Sequence, residues 1–143
     1  MYAPFCHDEE MKDCFNPHMS PEDVNRISML GLAHVGDGVY ELLVRSMLCT
    51  DGHQAIQDLH RTTVRYVNAP AQAKAMEKLL PLLSEEENAI YRRGRNAKVH
   101  GVPQNASVAE YHSATGLEAL FGRLYLLGRR DRISELFAAI MEE

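Results

Sequence analysis

Two acids keep unusual company in this chain. Asp37 interrupts the apolar stretch GLAHVGDGVYELLVRSML (31–48), between Gly36 and Gly38 and beside Val35, Val39 and Tyr40. Glu118 repeats the arrangement in YHSATGLEALFGRLYLLG (111–128), among Leu117, Ala119, Leu120 and Phe121. A charge removed from water is costly unless it is paired, hydrogen-bonded or bound to a metal. Taken alone, Asp37 reads first as a structural acid, solvated or hydrogen-bonded near a subunit surface. Two such carboxylates meeting in a folded core would instead form an oxygen site for a hard divalent cation such as Mg²⁺.

A cation held by carboxylates suits a phosphate-bearing partner, and the charge distribution bears on that. The net charge is −5, but residues 1–23 hold six acids and only Lys12 as a base, which leaves 14 acids and 14 bases in the remainder. Within that neutral body, residues 88–109 carry Arg92, Arg93, Arg95 and Lys98 and no acid. A local basic patch on a neutral body can grip phosphates. Cys6, His7, Cys14 and His18 offer four further donors near the start, yet they lack the CxxC knuckle of a zinc site. The three cysteines therefore read as reduced thiols in a cytosol-like compartment. No stretch is apolar enough for a membrane span, and the acidic first twenty residues resemble neither a secretory signal nor a basic transit peptide.

The elements that must position these residues read as helices throughout, and the fold class is all-α. Ser20-Pro21-Glu22-Asp23 has the form of a helix start, and an apolar pattern continues from it through Ile27, Leu30, Val35, Leu42, Leu43 and Leu48 to Asp51-Gly52. Further helices are expected over 53–66 and 69–80. Ser84 with Glu87 forms a capping box that opens a helix to about Ala97. Residues 99–108 read as a loop, and 111–127 and 129–142 as two closing helices. No alternating strand pattern competes. Residues 1–20 form an acidic extension that looks detachable, and 21–143 a single domain of a size that buries a core without disulfides.

LAHVGDGVYELLVR (32–45) resembles the signature helix of the ribonuclease III catalytic domain, and GLEALFGRLYL (116–126) is similar to that family's second acidic helix. LHRTTVRYVNAPAQAKAM (59–76) and EEENAIYRRGRNAK (85–98) extend the resemblance to the family's short branch, Mini-ribonuclease III, in the right order along the chain. The larger members of the family carry additional acids at positions matching Leu30, Ala33 and Thr115 here, so only Asp37 and Glu118 remain of the fuller cluster.

The resemblance implies a homodimeric endoribonuclease that cleaves double-stranded RNA with Mg²⁺, leaving 5′ phosphate and 3′ hydroxyl ends. Asp37 and Glu118 would be the catalytic and metal-holding residues, and each subunit would cut one strand. It points to maturation of large-subunit (23S) ribosomal RNA in the cytoplasm, with a large-subunit ribosomal protein as a further partner. No double-stranded-RNA-binding domain is expected after the catalytic one, so the catalytic domain is expected to hold RNA itself. Arg93, Arg95, Asn96 and Lys98 lead into the 99–108 loop and suit phosphate and 2′-hydroxyl contacts. Thr115 and His60, with Thr62, Arg65 and Asn68 beside the latter, are further candidates for touching RNA, although a structural role suits His60 better. Glu41, one turn after Asp37, is expected to be structural or to assist the metal site without touching the ion, and Tyr111 and His112 either line the substrate path or pack. The competing reading is an RNA-binding assembly protein on the same fold that has lost catalysis.

Overall fold

Helices account for nearly all the secondary structure of the computed structural model, which describes residues 13–50, 56–97 and 106–142; no strand occurs among them. In chain order they are α1 (Pro21–Val24), α2 (Met29–Thr50), α3 (Ile56–Val67), α4 (Ala69–Leu79), a 3-10 turn (Leu80–Leu82), α5 (Glu85–Arg95), α6 (Val108–Leu126) and α7 (Arg130–Met141).

α6 is the axis of the fold: α2, α4, α5 and α7 all pack around it. Its sequence explains this, because Leu117, Ala119, Leu120, Phe121, Leu124 and Leu126 leave no side of the helix polar, and all are buried. A helix apolar all round must lie inside. Tyr40 of α2 meets Phe121 of α6 and Phe137 of α7 edge-on, with ring centroids 5.4 and 5.9 Å apart. Each such contact contributes about 1 kcal/mol beyond the area it buries.

Local signals set most helix boundaries. The Ser84–Glu87 capping box forms as expected, with the Ser84 amide donating to Glu87 Oε1 at 2.9 Å and the Glu87 amide to Ser84 Oγ at 3.1 Å. A second capping box, Ser107 with Glu110, starts α6 at Val108, three residues before the expected 111. Its Ser-x-x-Glu signature stands in the sequence inside what reads as a loop. The helix expected to run unbroken from Pro21 is interrupted between α1 and α2. Asn25 ends α1, its side chain accepting from Arg123 Nη1 at 2.7 Å, and Ser28 Oγ accepts the Gly31 amide at 3.0 Å to begin α2. A long-range bond to α6 thus overrides a pattern that is locally continuous.

Residues 13–20 lie against the body. The Met19 amide donates to the Leu126 carbonyl at 2.9 Å, Pro17 is buried, and Gly128, at φ 80°, passes beneath His18. Residues 1–12, including Cys6 and His7 of the zinc alternative, lie outside the described residues. Cys14 and Cys49 are exposed and outside any disulfide. Among the described residues no helix is long and apolar enough to cross a membrane.

Candidate active site

Gly36 and Gly122 bring α2 and α6 together backbone to backbone. A methyl group built on Gly36 would overlap the Glu118 carbonyl oxygen and stand 2.8 Å from the Gly122 nitrogen; one built on Gly122 would overlap the Leu32 carbonyl oxygen. Two helices can cross this closely only where neither carries a side chain at the contact. The crossing sets Asp37, the residue after Gly36, beside Glu118, close enough for the Asp37 carboxylate to raise the pKa of the Glu118 carboxyl. Gly38, two residues on, has nothing within 4 Å of where its Cβ would be.

The surroundings of the two acids differ from the sequence expectation. Asp37 is exposed rather than buried among its apolar neighbours, because one residue turns the helix by about 100° and carries it from the Gly36 contact face to the edge. Glu118 is the half-buried member. Burial, then the adjacent Asp37 charge and hydrogen bond, push its carboxyl up to about 8, against an opposing hydrogen bond from Gln72. Without a cation Glu118 therefore keeps its proton well above the ordinary carboxylate range.

That coupling has a measurable consequence. The folded protein retains a proton that the unfolded chain has lost, so cation-free stability falls as pH rises from about 4.5 to about 8. Thermal unfolding in a chelator should show the midpoint declining across this window. Saturating Mg²⁺ should offset the decline, and Glu118→Gln should remove it. A midpoint as pH-sensitive in Glu118→Gln as in the parent would disprove the coupling.

The donor set fits a hard cation. Two crowded carboxylates gain from a positive charge between them, and Mg²⁺ keeps several waters, so two protein ligands suffice. Among the described residues no group of three His, Cys, Asp or Glu side chains converges. Glu118 lines a cleft of about 560 Å³ whose walls include Val64 and Val67 of α3, Gln72 of α4, and Tyr111 and Thr115 of α6. Asn68, at the same cleft, caps α4 by accepting the Ala71 amide at 2.8 Å.

The residues expected to touch RNA are dispersed around this centre. Arg93, Arg95 and Asn96 are exposed at the end of α5. The intervening Gly94 packs on Thr115, Gly116 and Ala119, which sets this basic end against the stretch of α6 that carries Glu118. Arg95 lies over the Tyr91 ring, 5.6 Å from its centroid. Lys98 lies outside the described residues. His60 is exposed on α3, one turn before the cleft residue Val64. Thr115 is buried and its hydroxyl donates to the Tyr111 carbonyl at 3.0 Å, so it forms the cleft wall rather than an outward contact. Glu41 pairs with Arg45 at 3.2 Å, and His112 sets its ring edge-on to Tyr111.

A cavity of about 590 Å³ on the α5–α7 side holds more charge, and its central arginines are engaged with neighbouring acids. Arg132 donates to both oxygens of Glu87 at 2.8 Å, which holds the Glu87 carboxyl below its ordinary value, and to the Leu82 carbonyl. Arg123 pairs with Asn25 and Glu86. These bonds fasten helices together and leave no acid pair for a cation.

Gln72 is the site residue that sequence reasoning missed. It sits at the apolar-face spacing of α4 with Ala75, Met76 and Leu79, and all four are buried. A glutamine at a core position was the available signal.

The Ribonuclease III domain family matches residues 30–129. A protein of Symbiobacterium thermophilum named Mini-ribonuclease 3 is 50% identical over 110 residues, covering 77% of this chain and 85% of its own. A Mini-ribonuclease 3 of Thermoanaerobacter is 43% identical over 128 residues, covering 87% and 90%. The crystal structure of a Fusobacterium nucleatum protein superposes with a TM-score of 0.75 at 32% identity, covering 81% of this chain and 94% of that one.

Proposed function

The chain belongs to the ribonuclease III family of endoribonucleases, in its Mini-ribonuclease 3 branch, and on that premise we propose that it is a Mg²⁺-dependent nuclease of double-stranded RNA. The observation that supports this most is the meeting of Asp37 and Glu118 at the Gly36–Gly122 crossing, at the mouth of a cleft beside a basic helix end. Asp37 and Glu118 would hold the ion. When bound, Mg²⁺ orients an attacking water and neutralises charge on the phosphate and the departing 3′ oxygen.

The chain's own residues do the rest. Glu118 releases its proton as a cation arrives, and Asp37, at the exposed edge, faces the incoming backbone. Arg93 and Arg95 attract phosphates, with Asn96 and Lys98 continuing that path, and His60 stands on the α3 side. The substrate proposed is precursor large-subunit ribosomal RNA in the cytoplasm, presented together with a large-subunit ribosomal protein.

Cutting both strands of an antiparallel duplex calls for two sites related by a two-fold axis. The outer face of α2 supports such pairing: Leu30, His34, Gly38 and Leu42 recur every four residues, all exposed, with Leu42 55% exposed beside the likewise exposed Phe15. Sedimentation at micromolar concentration should give about twice the 16.1 kDa chain mass, and Leu42→Glu should shift it to monomer.

Incubating a duplex RNA with the protein and Mg²⁺ tests the reading directly. Both strands should be cut, leaving 5′ phosphate and 3′ hydroxyl ends. A protein that binds duplex RNA yet cuts it with neither Mg²⁺ nor Mn²⁺ would instead be the assembly factor.

A further inference from the structure

Gln72 is 1% exposed, and its side chain reaches in two directions at once. Its Nε2 donates to the Val67 carbonyl, at the last residue of α3, at 2.9 Å. The same side chain lines the cleft beside Glu118 and acts on that carboxyl as a donor, lowering its pKa against the burial that raises it. Both of these partners are acceptors, which fixes the amide with its nitrogen toward them. Its Oε1 is then left buried at the cleft with no hydrogen-bond partner. Buried polar atoms are almost always paired, so an orphan acceptor at the cleft that Glu118 lines calls for a donor that arrives with a ligand.

We propose that Gln72 is a positioning residue of the cation site, its amide nitrogen clamping the Glu118 carboxylate to the end of α3 and its carbonyl oxygen accepting a hydrogen bond from the hydration shell of the bound ion. The inference rests on the metal-dependent reading above and adds a residue to it. Mg²⁺ held by two carboxylates keeps waters whose protons need acceptors, and a buried amide oxygen fixed by its own nitrogen is such an acceptor. The clamp also makes α3 and α4 parts of the site, although neither helix supplies one of its acids. Only α2 and α6 do that.

The test is Gln72→Met, which keeps the length of the side chain and removes both donor and acceptor. Mn²⁺ affinity of the RNA-free protein, read by electron paramagnetic resonance, should weaken about tenfold, the low end of what loss of an outer-shell partner costs. The helical circular dichroism should be retained. In cleavage assays the Mg²⁺ requirement should rise by a similar factor, while the rate at saturating Mg²⁺ recovers most of the wild-type value. A residue that only packs would lower the melting temperature and leave the Mn²⁺ affinity of the folded protein unchanged, and that result overturns the inference.

Should Gln72→Met fail to fold, the wild-type protein decides. The ¹⁵N-labelled side-chain amide of Gln72 should shift with added Mg²⁺ in step with site occupancy, and an unmoved signal overturns the inference. Wild-type protein that binds no Mn²⁺ overturns the metal reading and this inference together. Wild-type protein that binds Mn²⁺ and cuts RNA, beside a Gln72→Met variant that binds Mn²⁺ equally well, overturns this inference alone.

Discussion

Asp37→Asn should lower the rate of duplex cleavage in Mg²⁺ by on the order of a thousandfold while leaving the helical fold intact. The substitution keeps the side chain's size and removes the charge that attracts the ion. Because Asp37 is exposed at the edge of α2, no packing is lost with it. Removing it also removes one of the causes that raise Glu118, so that carboxyl should titrate closer to its ordinary range in the cation-free variant. Glu118→Gln should be similarly inactive. The double variant should be little worse than either single one, since two ligands of one ion act as a unit. Single-turnover cleavage of a duplex, alongside circular dichroism, checks all three variants. Wild-type rates from a folded Asp37→Asn protein would remove the carboxylate pair from the mechanism.

Gly36→Ala and Gly122→Ala should be among the most destabilising single-methyl changes in the chain. Each places a Cβ into the backbone of the facing helix, which cannot turn aside as a side chain would. Overpacking a core with extra methylene groups costs roughly 1–3 kcal/mol where side chains can adjust, and a clash with backbone should exceed that. For a domain of this size, a melting temperature lower by about 10 °C or more is expected, with loss of soluble protein at the extreme. Relief by spreading the helices would also part Asp37 from Glu118, so any folded fraction should bind Mn²⁺ poorly. Gly38→Ala is the control two residues away. Nothing lies within 4 Å of its Cβ position, so the isolated chain should gain about 0.5–1 kcal/mol from replacing a helical glycine. If Gly38→Ala instead weakens self-association, that is direct evidence that a second copy packs on this face. Thermal melts of the three variants side by side make the comparison.

The sequence by itself determined the helical class, most helix ends and the identity of the two acids. Those properties are local: caps such as Ser84 with Glu87 act within one turn, and an acid inside an apolar run is visible without a fold. The same locality explains where reading the sequence went astray. The apolar pattern continues smoothly past Asn25, but the helix breaks there because Arg123, almost a hundred positions later, holds the Asn25 side chain. The exposure of Asp37 could not be read from its neighbours, since it depends on which face of α2 meets α6. That face is chosen by Gly36 and Gly122 acting as a pair. Gln72 passed as one polar residue in an alanine-rich helix until folding placed it between Val67 and Glu118. Tertiary structure decided these features because each depends on groups far apart in the chain. Only packing sets their separation, and with it the proton held by Glu118 and the acceptor left unpaired at its cleft.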